Sequence, residues 1–419
     1  MDIQRLPGFR DFYPDRLRVR RHLFDAFRET ARRFGFEEFD GPPLEPLDLL
    51  TRKSGEEIVG QLYAFTDKGG REVALRPEMT PTLARMVAAK LASLRRPLRW
   101  FAIPQLFRYE RQQRGRLREH FQLNMDILGE DDEAADAELI AAAIDVLRRL
   151  GLTADDVVVR VSDRRLLRAL LLGAGVVDGQ LDAVYAIVDK IERTAPEKTA
   201  ARLAEAGLAP DVVGAVLGLP WEGDALAAGL EAARPLERCL AAVRAMGLGD
   251  FVRTDLRIVR GLAYYTGIVF EVFDRGGALR AIAGGGRYDD LLRLVGGEAL
   301  PALGFGMGDV VLGELLEEKG LLPDVGPSVD VFLVAVDDAG RGEIPALAME
   351  LRDAGLSVIY ELHARAVGKQ FKAADAAGAR VAVVLGGEEA ARGTVRVKIL
   401  GDGTEREIAR SSITATLTG

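Results

Sequence analysis

Short apolar runs separated by tight turns or single helices are what most constrain this chain. Strand-length segments recur at Val73–Leu75, Arg99–Arg108, Gln122–Leu128, Val157–Val161, Ile268–Phe273 and Ala281–Ala283. Strands this close in sequence pair antiparallel, because a parallel pair needs a crossover of a dozen or more residues. The pattern predicts one large, mostly antiparallel sheet with helices packed on it. Ahead of it, Pro14–Phe34 carries Leu17, Phe24, Phe27 and Ala31 at helical spacing, and Gly35 supplies a C-terminal cap.

Between about Asp163 and Asp250 alanine and leucine take over, in RLLRALL, AVYAIVDKIE, TAARLAEAG and RCLAAVRAMG. This stretch reads as a bundle of short helices inserted between two strands of the sheet. KGLLPDVGPS, Lys319–Ser328, is turn-rich and predicts a linker. Beyond it, VDVFLVAV, EIPALAMELRDAG, LSVIYEL, GKQFKAADAAG and VAVVLG alternate strand with helix, the pattern of a small α/β domain with a partly parallel sheet. The expected organisation is a sheet-based domain over 1–320, a helical insertion over 163–250, a linker at 319–328 and an α/β domain over 329–419.

Composition narrows the function. The 419 residues are 48% apolar and 29% charged, ordinary for a globular protein. The longest charge-free runs, such as Val212–Trp221, fall well short of the ~20 residues a membrane span needs. MDIQRLPGFRDF has no apolar signal core, so the expectation is a soluble cytoplasmic protein with no membrane partner. A single cysteine, Cys239, excludes an internal disulfide and any multi-thiolate site. His22, His120 and His363 lack ligand spacing, so no metal held by protein ligands alone is expected.

The net charge is -8, yet eight arginines stand between Arg95 and Arg118 against one acid, Glu110. That local excess fits a phosphate-rich ligand, and arginine rather than lysine fits planar, bidentate contact. Strand alternation predicts that Arg108 and Glu110 line one surface while Phe107 and Tyr109 pack on the other. GFGMG at Gly304–Gly308 misses the dinucleotide fingerprint, because Asp309 stands where its last glycine belongs. AGGGRYDD at Ala283–Asp290 lacks the Gly-Lys-Ser/Thr of a P-loop. Both otherwise read as strands or turns where backbones pack closely.

These segments carry a resemblance. FRYER followed by GRLREHFQLNMDILG resembles the second signature of class II aminoacyl-tRNA synthetases, in the form found in histidyl-tRNA synthetases. LRPEMTPTLAR at Leu75–Arg85 is similar to that family's LRPE-x-T segment, and GFEEFDGPPLE resembles the first signature, with Pro42 at its dimer-interface proline. IVRGLAYYTGIVFE at Ile258–Glu271 resembles the histidine-specific segment, AGGGRYDDLL its partner, and GFGMG the start of the third signature. VGKQFKAADAAGA looks like the anticodon-binding domain. The fold implied is α+β: a class II catalytic domain whose antiparallel sheet is flanked by helices, a helical insertion, and a C-terminal α/β anticodon-binding domain, in a homodimer. The implied activity joins histidine to ATP, giving histidyl-adenylate and pyrophosphate, and moves the histidyl group to the 3′ end of histidine tRNA. Histidine, ATP with Mg2+ and that tRNA are the implied partners.

The resemblance also implies roles. Arg108 and Arg260 would be catalytic, holding the α-phosphate and carboxylate. Glu78, Met79, Thr80, Gln122 and Asp126, with Tyr264, Tyr265, Tyr288 and the two arginines, would bind histidine. Arg108, Glu110 and Arg118 would bind ATP, and Gln112, Gln113, Arg114 and Arg116 would approach the tRNA acceptor end. The departures resemble a divergent, organelle-like branch. Val311 stands where the third signature has the arginine that contacts the γ-phosphate, Ala263 replaces an aspartate, His120-Phe121-Gln122 replaces Phe-His-Gln, and Asp126 replaces a glutamate. Val311 also leaves a second reading, a non-catalytic histidine-binding regulator such as the regulatory subunit of ATP phosphoribosyltransferase. Those subunits generally lack the tail domain and degrade the histidine-specific segment, whereas this chain keeps both.

Overall fold

The computed structural model describes residues 4–51, 60–110, 114–223, 230–260, 265–323 and 329–418. Its contacts divide the chain into two units, Met1–Leu322 and Pro323–Gly419. The first unit opens with the helix Pro14–Arg33, whose proline sits in the first turn, where no backbone donor is needed. Gly35, at φ 73°, closes it in the left-handed region. Leu23, Phe27 and Ala31 form its buried stripe.

Its strands are β1 (Glu37–Glu38), β2 (Leu44–Pro46), β3 (Tyr63–Thr66), β4 (Glu72–Leu75), β5 (Leu98–Ala102), β6 (Gln105–Phe107), β7 (Glu119–Leu128), β8 (Val157–Asp163), β9 (Val252–Thr254), β10 (Ile268–Asp274), β11 (Ala283–Arg287) and β12 (Ala302–Gly308). The large sheet runs β1-β5-β7-β12-β11-β10-β8-β9, with β6 also on β7, and β2-β4-β3 form a small separate sheet. Only the edge pairs β1/β5 and β8/β9 are parallel. On β7, Leu123, Met125 and Ile127 join the main core, which includes Leu139, Ile140, Ile144 and Leu147 of the helix Glu133–Arg149. The alternate residues Gln122, Asn124 and Asp126 face the other way.

Three expectations are corrected. The single strand expected over Arg99–Arg108 is two, because Pro104 has no N–H for the ladder. The break lets β5 pair with Asn124–Leu128 while β6 pairs with Glu119–Phe121. The strand expected at Ala281–Ala283 instead spans Ala283–Arg287 and takes in the glycine run. Finally, the chain leaves β6 at Phe107, and the Glu110 N–H donates to the Arg108 carbonyl at 2.8 Å. This tight turn swings Tyr109 out, to 55% exposure, and buries Glu110 to 6%.

Between β8 and β9 lie the helices Arg164–Gly173, Leu181–Val188, Pro196–Glu205, Pro210–Leu217 and Arg234–Ala245. Asp163 caps the first, accepting the Arg165 N–H at 2.7 Å. Leu167, Leu171, Val184, Leu203 and Cys239 carry the main core into this segment.

The second unit holds β13 (Val329–Ala335), β14 (Val358–Tyr360), β15 (Ala379–Leu385), β16 (Thr394–Ile399) and β17 (Glu405–Ala409), in the order β14-β13-β15-β16-β17. β13 is parallel to both neighbours, and β16 and β17 continue antiparallel. Val331 and Leu333 pack with Ile344, Leu347 and Leu351, while Phe332 and Val334 pack with Ala374 on the opposite face. Burial on both faces accounts for the unbroken apolar strands. β17 is unforeseen, because EREIA is a mostly exposed edge strand with no apolar alternation.

Candidate functional site

The glycines of β11 and β12 form a floor. On β12, Phe305 and Met307 join the core, so Gly304 and Gly306 face the side shared by Gln122, Asn124 and Asp126. A Cβ at Gly304 would stand 2.1 Å from Asp126 Oδ1 and 2.7 Å from the Tyr288 hydroxyl. One at Gly306 would stand 2.6 Å from the Gln122 amide, and one at Gly284 would stand 1.9 Å from Arg260 Nη1. Two rows cross the sheet: Asp126–Gly304–Gly286–Val269, and Asn124–Gly306–Gly284–Glu271. Each spans three strand spacings, about 14 Å, with bare backbone in the middle.

Charged and aromatic groups rim this floor. The Tyr288 hydroxyl donates to Asp126, and its ring meets Tyr265 edge-on at 6.5 Å. Arg260 lies 5.3 Å over the Tyr265 ring and 3.8 Å from Glu271. Its φ of 54° is the one positive value outside glycine among the described residues. Such a conformation is held only where its surroundings enforce it, often at functional sites.

Glu78 is buried in the turn between β4 and the helix Thr80–Lys90. Arg108 Nε donates to the Pro77 carbonyl at 3.0 Å, tying the arginine to that turn. Arg76 locks the turn from beneath, donating to Asp40 at 3.0 Å and to the carbonyls of Gly41 at 2.7 Å and Gln105 at 3.2 Å. Thr80 begins the helix, whereas Met79 is buried against Arg76.

The arginine loop is folded back on acids. Arg114 pairs with Glu318 and, at 3.6 Å, with Glu314, and Arg116 pairs with the buried Glu110. Arg118 stacks 4.2 Å over Tyr109 and donates to the Glu110 carbonyl at 3.3 Å. Gln112, Gln113, Ala263 and Tyr264 lie outside the described residues.

Electrostatics single out Asp126. Burial raises its pKa to about 7, the Tyr288 hydrogen bond opposing. Burial likewise raises Glu271, with Arg260 pulling down. His120 is pushed to about 3 by burial and by Arg108 and Arg10, so its imidazole is neutral. Buried carboxyls of this kind gain from a cation brought to them. Away from the floor, Glu192, Glu222 and Asp255 converge closely enough for a metal ion, but Arg160 and Arg257 already supply positive charge there.

Residues 8–308 match the family model described as histidyl-tRNA synthetase, and residues 330–418 match that of the anticodon binding domain. The chain belongs to the histidyl-tRNA synthetase family. A histidine–tRNA ligase of Opitutus terrae is 46% identical, over 99% of this chain and 97% of its own length. A chloroplastic/mitochondrial histidine–tRNA ligase of Arabidopsis thaliana is 43% identical, over 99% and 86%. The solved histidyl-tRNA synthetase of Nostoc sp. PCC 7120 superposes with a TM-score of 0.84 at 26% identity, covering 100% of this chain and 99% of its own. The mixed sheet and α/β tail have the class II synthetase architecture.

Within this synthetase frame, Gln122, Asp126, Tyr265, Tyr288 and Arg260 meet over one floor, and Arg108 is tied to the turn of Glu78. Sequence reading missed Asn124 and Glu271. Both face the floor, and Asn124 Oδ1 is buried without a hydrogen-bond partner among the described residues. The polar alternation Gln122-x-Asn124-x-Asp126 inside an apolar strand was the available signal. Val311 is 8% exposed in the helix Asp309–Glu318 and belongs to the main core. Asp309 accepts from Arg10 Nη1 and from the Phe121 N–H, both at 2.9 Å, so the start of this helix is an anchor.

Proposed function

We propose that the chain charges histidine tRNA in two steps on the glycine floor. A carboxylate oxygen of histidine attacks the α-phosphorus of ATP. The bond to the bridging oxygen breaks, and pyrophosphate leaves with the electron pair. A terminal-ribose hydroxyl of the tRNA then attacks the carbonyl carbon, and AMP departs. The observation that carries this reading is the pairing, across bare backbone, of Asp126 and Gln122 on one side with Arg260 and Glu271 on the other.

Arg108 and Arg260 neutralise the carboxylate and α-phosphate as charge gathers there in the transition state. Glu78, Gln122 and Asp126 receive the ammonium, with Thr80 beside Glu78 and Met79 packed beneath. Tyr265 and Tyr288, with Tyr264, wall the imidazole, each offering a flat apolar face and a hydroxyl. Glu110 and Arg118 assist at ATP. Gln112 and Gln113 meet the acceptor end, joined by Arg114 and Arg116 once these exchange their acidic partners for phosphate. Magnesium suits the oxygen donors present, Glu271 and Asn124 Oδ1, which has no hydrogen-bond partner among the described residues, and would neutralise phosphate charge alongside the arginines.

The domain limits proposed are 1–320, with the insertion at 163–250, the linker at 319–328 and the anticodon-binding domain at 329–419. A homodimer is supported by apolar groups left open near the small sheet: Leu44, Phe65 and Tyr109 are exposed. A cytoplasmic setting is supported by the one free cysteine, Cys239. Among the described residues no single helix is long and apolar enough to cross a membrane.

The test is ATP–pyrophosphate exchange with each amino acid, then charging of histidine tRNA. Exchange with histidine alone, followed by charging, is the expected result. Histidine binding without exchange would overturn it and leave the regulatory reading.

A further inference from the structure

One edge of the helix Asp309–Glu318 supports the 114–118 loop. Val311 Cγ2 lies 3.2 Å from where a Gly115 Cβ would stand, and Glu314 accepts the Gly115 N–H at 3.2 Å. A second residue reaches the same spot from the connection between β10 and β11: Arg280 Cδ is 4.0 Å from that point. Arg280 is exposed, with Arg116 and Arg193 near enough to repel its guanidinium and Glu110 near enough to attract it. Among the described residues it forms no ion pair.

Arg116 and Arg118 both lie against Glu110. Arg280 is therefore a third guanidinium near Glu110, where Arg116 pairs with the carboxylate and Arg118 with the backbone carbonyl, and Glu110 is two residues from Arg108. Like charges gathered in one place repel, and a site keeps such a surplus when a polyanion offsets it. A side chain at position 311 and the Arg280 stem meet the same patch of loop. One can supply from β11's side what the other lacks on the helix.

We propose that Arg280 binds the terminal phosphates of ATP, doing the work that Val311 cannot. Val311 instead packs beneath the loop that carries Arg116 and Arg118. The inference rests on the adenylation reading above. It deepens that reading by assigning the pyrophosphate end of the triphosphate to a residue from the β10–β11 connection.

The experiment compares wild type with R280A and R280K in histidine-dependent exchange. It measures KM for ATP, pyrophosphate and histidine, and affinity for histidyl-sulfamoyl-adenosine, an adenylate mimic without the two outer phosphates. Losing one charge-assisted contact should raise KM for ATP and for pyrophosphate about 10- to 100-fold. KM for histidine and affinity for the mimic should hold, with R280K intermediate and melting midpoints matched. Unchanged KM for ATP and pyrophosphate would overturn the proposal. So would an equal loss for the mimic. A wild-type chain without exchange would refute adenylation itself. In that case calorimetric titration of ATP into wild type and R280A still decides Arg280: weaker binding to R280A supports the proposal and equal binding overturns it.

Discussion

Replacing Asp126 by asparagine separates the charge of this buried carboxyl from its shape. Asparagine keeps an oxygen that can accept from Tyr288, so the packing under Gly304 is preserved. The folded-state pKa is about 7 against an ordinary value of 3.8. The carboxyl thus holds its proton more tightly folded than unfolded, and stability is lost as pH rises from the ordinary value through 7. Roughly three units at about 1.36 kcal/mol each put the penalty at no more than about 4 kcal/mol at pH 8. D126N should match wild type near pH 4 and melt progressively higher than it toward pH 8.

Histidine binding should show the opposite face of the same linkage. If the ammonium draws Asp126 into its charged form, a carboxyl that is about three-quarters protonated at pH 6.5 releases about that fraction of a proton on binding. Calorimetry at pH 6.5 in two buffers of different ionisation enthalpy measures it, and D126N cancels the contribution of the ligand's own imidazole. D126N should release less and bind roughly 10- to 100-fold more weakly, the scale of a lost charge-assisted hydrogen bond. Equal proton release in both proteins would refute the reasoning, as would a melting difference that does not vary with pH.

Other substitutions probe neighbouring parts of the site. G304A drives a methyl into Asp126 and Tyr288, so histidine KM should rise sharply, with about 1–3 kcal/mol of overpacking seen as a lower melting midpoint. R260A should lower kcat in exchange by about 10²–10³, the scale of one lost transition-state donor. R10A leaves Glu119 and Asp309 buried without their shared cation. Chemical denaturation of the first unit should then show a loss of about 3–5 kcal/mol.

Much of the scaffold was legible because its elements carry ordinary periodicity. β7 alternates core with polar residues. Of the expected stripe Leu17, Phe24, Phe27 and Ala31 in the first helix, Phe27 and Ala31 are buried, with Leu23 beside them, while Leu17 and Phe24 are half-buried. The floor was not legible. A glycine run looks like a turn until the neighbouring strands show whose side chains need the room, and those neighbours, Gln122, Asp126 and Arg260, come from distant stretches. The Tyr109–Glu110 inversion was hidden for a related reason, since alternation assumes a strand that continues and this one turns after Phe107. The roles of Arg108, Glu78 and the tyrosines rested on resemblance. Asn124 and Glu271 had only their place in an alternation to mark them. The tight patch shared by Val311, Gly115 and Arg280 joins three segments far apart in the chain and leaves no local trace.

A chamber whose bottom is main chain can be made shallower but never deeper. Where a pocket is lined by leucine or phenylalanine, trimming a side chain admits a bulkier guest. At Gly284, Gly286, Gly304 and Gly306 there is nothing left to trim, and every substitution subtracts space. Variants that accept a larger amino acid should therefore arise at the rim, from β7 and the tyrosines. Changes in the glycine strands should yield only smaller guests or none.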